Sequence, residues 1–206
     1  MEAADFYTGL VAELYEPLRG SVPEAAEYLG LIRRFGEPAL ELGCGGGDPL
    51  VELRAAGLDV EGVDSSADIL RVCPAKAHRA GVDVVVHHQR MEELDLDRSY
   101  RLIFLAGSCP LDESGATVAV GDYAGQAAAC IETMKCALTA SGATIQDVIS
   151  TRVLVASSSQ SDLVTAWEVV RDAFGEHDVP STLMGVTVLG YDDQLVEIEA
   201  VAAVID

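Results

Sequence analysis

An apolar run at 38–42 breaks into a turn that holds Gly43, Gly45, Gly46 and Gly47. Few features restrict a fold so strongly. Glycine lets the backbone reverse sharply and lie close to a ligand. A strand before such a turn and a helix after it open a nucleoside-binding α/β unit. The pattern predicts a strand over 38–42 and a helix over about 48–56, its amide-rich N-terminus facing a ligand. Gly57 stops the helix, and a second strand follows at 59–63. Asp64 stands at the end of that strand, where a carboxylate accepts hydrogen bonds from both ribose hydroxyls. The spacing alone fits NAD as well as S-adenosylmethionine.

The flanking segments agree with this opening. Residues 1–36 are helical in character. Pro23, just after Ser21, marks a helix start, and Tyr28, Leu29, Ile32 and Phe35 recur at helical spacing before Gly36 ends the run. Pro74 falls where a helix from Ala67 would run on, which predicts a short or kinked helix there.

The net charge of −21 over 206 residues argues against nucleic acid or an anionic membrane as partner, since both require basic patches. The five cysteines are odd in number and lack CxxC spacing, so neither a disulfide framework nor a zinc site is expected. The first residues show no basic segment followed by an apolar run, and no apolar stretch reaches membrane-spanning length. These features predict a cytoplasmic protein with reduced thiols.

The string ALELGCGGG, followed by DVEGVDSSADIL, resembles the glycine loop and acidic second strand of class I S-adenosylmethionine-dependent methyltransferases. The likeness runs over about 7–100 and takes in LYEPLRG at 14–20 and HHQRMEELDL at 87–96. It implies S-adenosylmethionine as cofactor. Glu41, Gly43 and Gly45 would serve the methionine part, Asp64 the ribose and Met91 the adenine. Binding is expected to be weak, because only four strand candidates precede a change of pattern.

That change comes after Tyr100. The order becomes strand (102–105), short strand (117–120), helix (from Asp122 to Gly142), strand (148–155), helix (from Ser161), and strands near 184–189 and 195–204. With GDYAGQ, SGATIQDVISTRVLV and QLVEIEAVAAVI, residues 101–206 resemble the RidA family, also called YjgF or Rid, without its first strand. The resemblance implies a homotrimer with small-metabolite clefts and hydrolysis of reactive enamines and imines. Glu197 matches the glutamate that handles the catalytic water. The arginine of the family's PARS-type motif is absent: DVPSTLMGV stands there, with Ser181 or Thr182 near the place, and no arginine follows Gly175.

The expected fold is therefore α/β. A partial Rossmann-like methyltransferase sheet over 1–100 adjoins an α+β RidA-like, chorismate-mutase-like domain over 101–206. Two compact units should meet near 98–106, where YRLIFLAGSC fits either pattern but is expected in one sheet only. The leading functional reading is a RidA-like metabolite-binding protein with impaired deaminase chemistry. The alternatives are a methyltransferase and a non-catalytic chimera.

Overall fold

The computed structural model describes residues 8, 9, 11, 12, 14 and 25–205. The helix start at Ser21 and Pro23, and residues 15–20 of the LYEPLRG segment, lie outside the described residues.

The N-terminal part alternates as its periodicity predicts. Helix α1 (Ala25–Phe35) presents Tyr28, Leu29, Ile32 and Phe35 to the core and ends at Gly36. Strand β1 (Ala39–Leu42) leads into the glycine turn, and α2 (Leu50–Ala55) follows. Strand β2 (Val60–Asp64) carries the acid at its last position. The break foreseen near Pro74 is present: α3 (Ala67–Leu70) stops, and α4 (Val72–Ala80) restarts with Pro74 in its first turn. There a missing N–H costs no helical hydrogen bond. Strand β3 (Val85–His88) completes this part.

Strand β4 (Leu102–Ser108) is followed by a long loop, α5 (Tyr123–Ala140), β5 (Val148–Ala156), α6 (Gln160–Phe174), β6 (Ser181–Val186) and β7 (Val196–Ala203). Two readings of the sequence need correction here. The segment 117–120 is no strand; its only ladder contact is one bridge between Leu111 and Thr117. Strand β6 begins three residues earlier than expected and stops at Val186, because Ser181 through Val186 pair along the whole of Thr151–Ala156.

The larger correction concerns the join. The chain forms one seven-stranded sheet, in the order β3-β2-β1-β4-β7-β5-β6. Strand β4 belongs to both parts. One edge pairs in parallel with β1, from Ala39↔Leu102 to Leu42↔Leu105, and the other pairs antiparallel with β7. Two separate sheets were expected because the two patterns overlap on a single strand. A strand has two edges, however, and each pattern uses a different one.

Helices cover both faces. Alternate residues Val196, Ile198, Ala200 and Ala202 of β7 join Ile103, Leu105, Leu40 and Leu42 beneath α5 and α6. Leu102, Phe104 and Ala203 pack on the opposite face against α1, α2 and α4. Both cores thus draw on β4. Backbone bonds also fasten the join from two sides: Arg101 N–H donates to Pro38 at 2.8 Å, and Tyr100 N–H donates to Ser141, at the end of α5, at 3.0 Å.

A polar knot reinforces the same place. Glu61 on β2 is buried and accepts from Tyr100 Oη at 2.8 Å and Arg98 Nη1 at 2.7 Å, with His87 Nε2 at 2.8 Å. Arg98 also donates to Asp59 at 2.8 Å. Burial alone would raise the Glu61 carboxyl, but the bonds from His87, Tyr100 and Arg98 outweigh it and hold it below the usual glutamate range. Replacing Glu61 with alanine should destabilise the fold by about 3 kcal/mol, since it strands a buried hydroxyl and a half-buried guanidinium. A group with a depressed folded value stabilises fully above its unfolded value, about 4.3 for glutamate. That contribution is lost as pH falls through the lower folded value. Urea unfolding of wild type and variant between neutral and acidic pH checks this: the gap should close at the acid end.

Candidate functional site: one cavity shared by both motifs

The ends of β1, β2 and β4 and the start of β7 surround a cavity of about 300 Å³. Its walls hold Gly43, Gly45, Asp64 and Met91 from the N-terminal part, and Ala106, Gly107, Cys109 and Glu197 from beyond the join. Residues expected to serve two separate chemistries face one space. Glu41 is the exception. It is buried in β1, in register with Gly62 and Phe104, and does not line the cavity.

The glycine turn is shaped by close approach. Gly43 has φ +79°, and a Cβ on it would lie 2.8 Å from the Ala106 Cβ of β4 and 3.8 Å from the Met91 methyl. Only glycine fits at that seam. The turn does not offer the amide cradle that its sequence predicts. Gly43 and Cys44 donate to the Val63 carbonyl, Gly47 to Cys44, and Gly45 to Asp64 Oδ2 at 2.9 Å. Helix α2 starts only at Leu50, after Pro49, and the Val51 amide already donates to Gly47. The Gly43, Cys44, Gly45, Gly47 and Val51 amides are thus engaged within the protein rather than facing a ligand.

Asp64 holds this turn and the next one together. Its Oδ1 accepts from Ser66 N–H at 2.8 Å while Oδ2 serves Gly45. A carboxylate has about four acceptor sites, so capacity remains for ligand hydroxyls. Burial pushes its carboxyl above the ordinary aspartate value, against the bonds from Ser66 and Gly45.

Glu197 reaches the cavity by strand alternation. Its neighbours Val196 and Ile198 enter the core, which turns Glu197 to the opposite face. It is no solvated strand glutamate. Its side chain lies against Gly107, where an added Cβ would meet Oε1 at 2.0 Å. Oε2 accepts from Gln194 Nε2 at 3.2 Å and lies 3.9 Å from the Cys109 thiol, which points toward it. Burial raises its carboxyl above the usual value, and nearby Glu199 adds to the rise. Glu199 is itself in an ion pair with Arg152 across to β5.

Supporting residues went unread in the sequence. Gln126, buried on α5, accepts from Leu195 N–H at 2.7 Å and Val196 N–H at 3.3 Å, and donates to the Asp193 carbonyl at 2.9 Å. It thereby sets the turn that carries Gln194 and the start of β7. Its signal was GDYAGQ, read only as a family mark. Gly107 had a signal too, as the small residue that lets a long side chain cross the strand.

The cavity carries Asp64, Glu92, Glu197 and Glu199 against one arginine, Arg90. Arg90 is engaged: it donates to Glu92 at 2.7 Å and to the carbonyls of Asp112 and Glu113 at 2.8 and 2.9 Å. Ser181 and Thr182, near the place of the expected arginine, sit on β6 in register with Thr151 and Arg152 and outside the cavity lining. The walls therefore favour a cationic ligand and offer an anion little.

A mixed α/β sheet with a glycine turn at one end and a two-helix mixed half at the other defines a two-part protein, and the family comparisons name both parts. The model described as endoribonuclease L-PSP matches 97–204, so the chain belongs to that family, to which RidA and YjgF proteins belong; a model described as methyltransferase domain matches 39–120. The matches overlap at 97–120, which contains the shared strand β4. A RutC family protein of Pyrococcus horikoshii is 33% identical over 48% of this chain and 77% of its own. A dTDP-3-amino-3,6-dideoxy-alpha-D-glucopyranose N,N-dimethyltransferase of Streptomyces fradiae is 33% identical, covering 52% of this chain and 46% of that enzyme, so the chain spans less than half its length. A solved YjgF/YER057c/UK114 family member from Mycobacterium tuberculosis is 32% identical over 50% of this chain and 80% of its own, with a TM-score of 0.43.

Proposed function

We propose that this protein binds small cationic metabolites in the shared cavity, and that S-adenosylmethionine is the nucleoside it takes there. The observation that carries this reading is that Gly43, Gly45, Asp64, Met91 and Glu197 line one space whose only arginine among the described residues is already engaged. The sequence left NAD open as an alternative. A pyrophosphate needs free amides or a cation, and the Gly43, Cys44, Gly45 and Gly47 amides already bond within the protein, as does Arg90. S-adenosylmethionine has no pyrophosphate, and its sulfonium and ammonium offset its single carboxylate. Asp64 would accept the ribose hydroxyls, and Met91 would lie near the adenine. The cavity volume sits at the low end of ligand pockets, roughly 300–1,000 Å³. A ligand this long would extend out of it, so affinity should be weak. The bound cofactor would supply an electrophilic methyl group, and the protein's residues would orient it.

Imine hydrolysis is the weaker reading of the same cavity: a small imine acid has no cationic group to offset its carboxylate, and the described lining residues offer it no free arginine. Calorimetric titration with S-adenosylmethionine tests the proposal. Asp64→Ala should lower affinity by roughly 1–3 kcal/mol, the size of a lost charged hydrogen bond. Equal affinity in wild type and variant would remove Asp64 from the site.

A further inference from the structure

The methyltransferase-like residues account for one side of the cavity only. The opposite wall is built by β4 beyond Leu105, which both motifs share, and by β7, which belongs to the other motif alone. Its chemistry is specific. Gly43 meets Ala106, the next residue is Gly107, and Glu197 lies across Gly107. The carboxylate is thus separated from the glycine turn by two residues of one strand. It is held in place from behind: Gln194 donates to Oε2, Cys109 points its thiol at the same oxygen, and Gln126 fixes the turn that carries Gln194. No such bond to Oε1 is present among the described residues. Backbone shape, hydrogen bonding and glycine placement therefore converge to aim one carboxylate at the turn.

We infer that Glu197 is a charge-reading residue of the nucleoside site, selecting a sulfonium ligand over its neutral thioether counterpart. The inference rests on the proposed S-adenosylmethionine reading and adds to it a discriminating residue drawn from the other motif. The glycine turn is where the methionine part would lie, which would bring its ammonium and sulfonium to the side of the cavity that Glu197 lines. S-adenosylmethionine and S-adenosylhomocysteine share adenine, ribose and the amino-acid portion. They differ in one methyl group and one positive charge at sulfur. Asp64 would see the same ribose in both. A carboxylate in a partly desolvated cavity would not treat them alike, since electrostatic attraction strengthens as water is excluded. The other acids do not compete for this role. Glu199 is paired with Arg152, Glu92 with Arg90, and both Asp64 oxygens hold loop amides.

The experiment is a titration of the full chain with each nucleoside separately, by calorimetry and by saturation-transfer NMR for weak affinities. Wild type should prefer S-adenosylmethionine by about tenfold, the effect of one charge-assisted contact. Glu197→Gln, near in shape and able to keep its place over Gly107, should reduce that preference to about twofold or less. Glu197→Asp retains the charge and should retain most of the preference, which separates charge from packing. Asp64→Ala should weaken both ligands alike and leave their ratio unchanged. A ratio unaltered in Glu197→Gln, or equal binding of both nucleosides by wild type, overturns the role of Glu197 while the nucleoside site stands. Failure of wild type to bind either nucleoside overturns the site and this role together.

Discussion

A fragment starting at residue 97 is expected to lose solubility, and the full chain to unfold in one transition. Residues 97–206 contain the whole family match to endoribonuclease L-PSP proteins, yet β4 is left with a bare edge in such a fragment. In the full chain Leu102, Ile103, Phe104 and Leu105 pair there with Ala39 through Leu42. The face bearing Leu102, Phe104 and Ala203 would also lose its cover of α1, α2 and α4. Burying a Leu or Phe side chain contributes about 1.5–3 kcal/mol, so exposing this set removes much of a typical stability of about 5–15 kcal/mol. An uncovered apolar edge also pairs with other copies. Size-exclusion chromatography of the fragment and calorimetry of the full chain decide the matter. A monodisperse, cooperatively melting fragment, together with two separate transitions in the full chain, would restore the picture of two independent units.

The same strand explains how far the sequence could be read. Local features were legible: the strand and turn at 38–47, the acid at Asp64, the break at Pro74, and the helix from Asp122 to Gly142 that forms as α5. These depend on period and on residues with restricted backbones. Two motifs on one strand were also legible, but their reconciliation was not. Edge use is a property of strand neighbours, and β4 lies next to β7 although nearly a hundred residues separate them in the chain. The composite cavity was hidden for the same reason. Glu197 could be matched to a motif, but its placement beside the glycine turn depends on Gly107, Gln126 and Gln194, whose roles exist only after β4 and β7 have paired. The amide cradle failed on a local detail. Asp48–Pro49 delays α2 to Leu50, and the Gly47 and Val51 amides close on the loop itself.

Hydrolysis of 2-aminoacrylate is expected to run roughly a hundredfold to a thousandfold below that of an arginine-bearing Rid enzyme, the effect of removing one partner from a desolvated charge pair. The substrate carboxylate needs a bidentate cation, which a hydroxyl cannot replace. Ser181 and Thr182, near the matched place, both sit on β6, and β5 lies between them and Glu197 on β7. That is two strand spacings, roughly 10 Å across the sheet. The basic groups nearby are committed: Arg152 to Glu199, and Arg90 to Glu92 and two carbonyls. Glu197 itself stands above the ordinary glutamate value through burial and Glu199, and an incoming carboxylate would add a third negative charge beside it. An assay with 2-aminoacrylate generated in place reads the rate directly. Turnover comparable to an active Rid enzyme, lost on Glu197→Ala, would show that a cation from a neighbouring subunit completes this site and that the cavity serves imines after all.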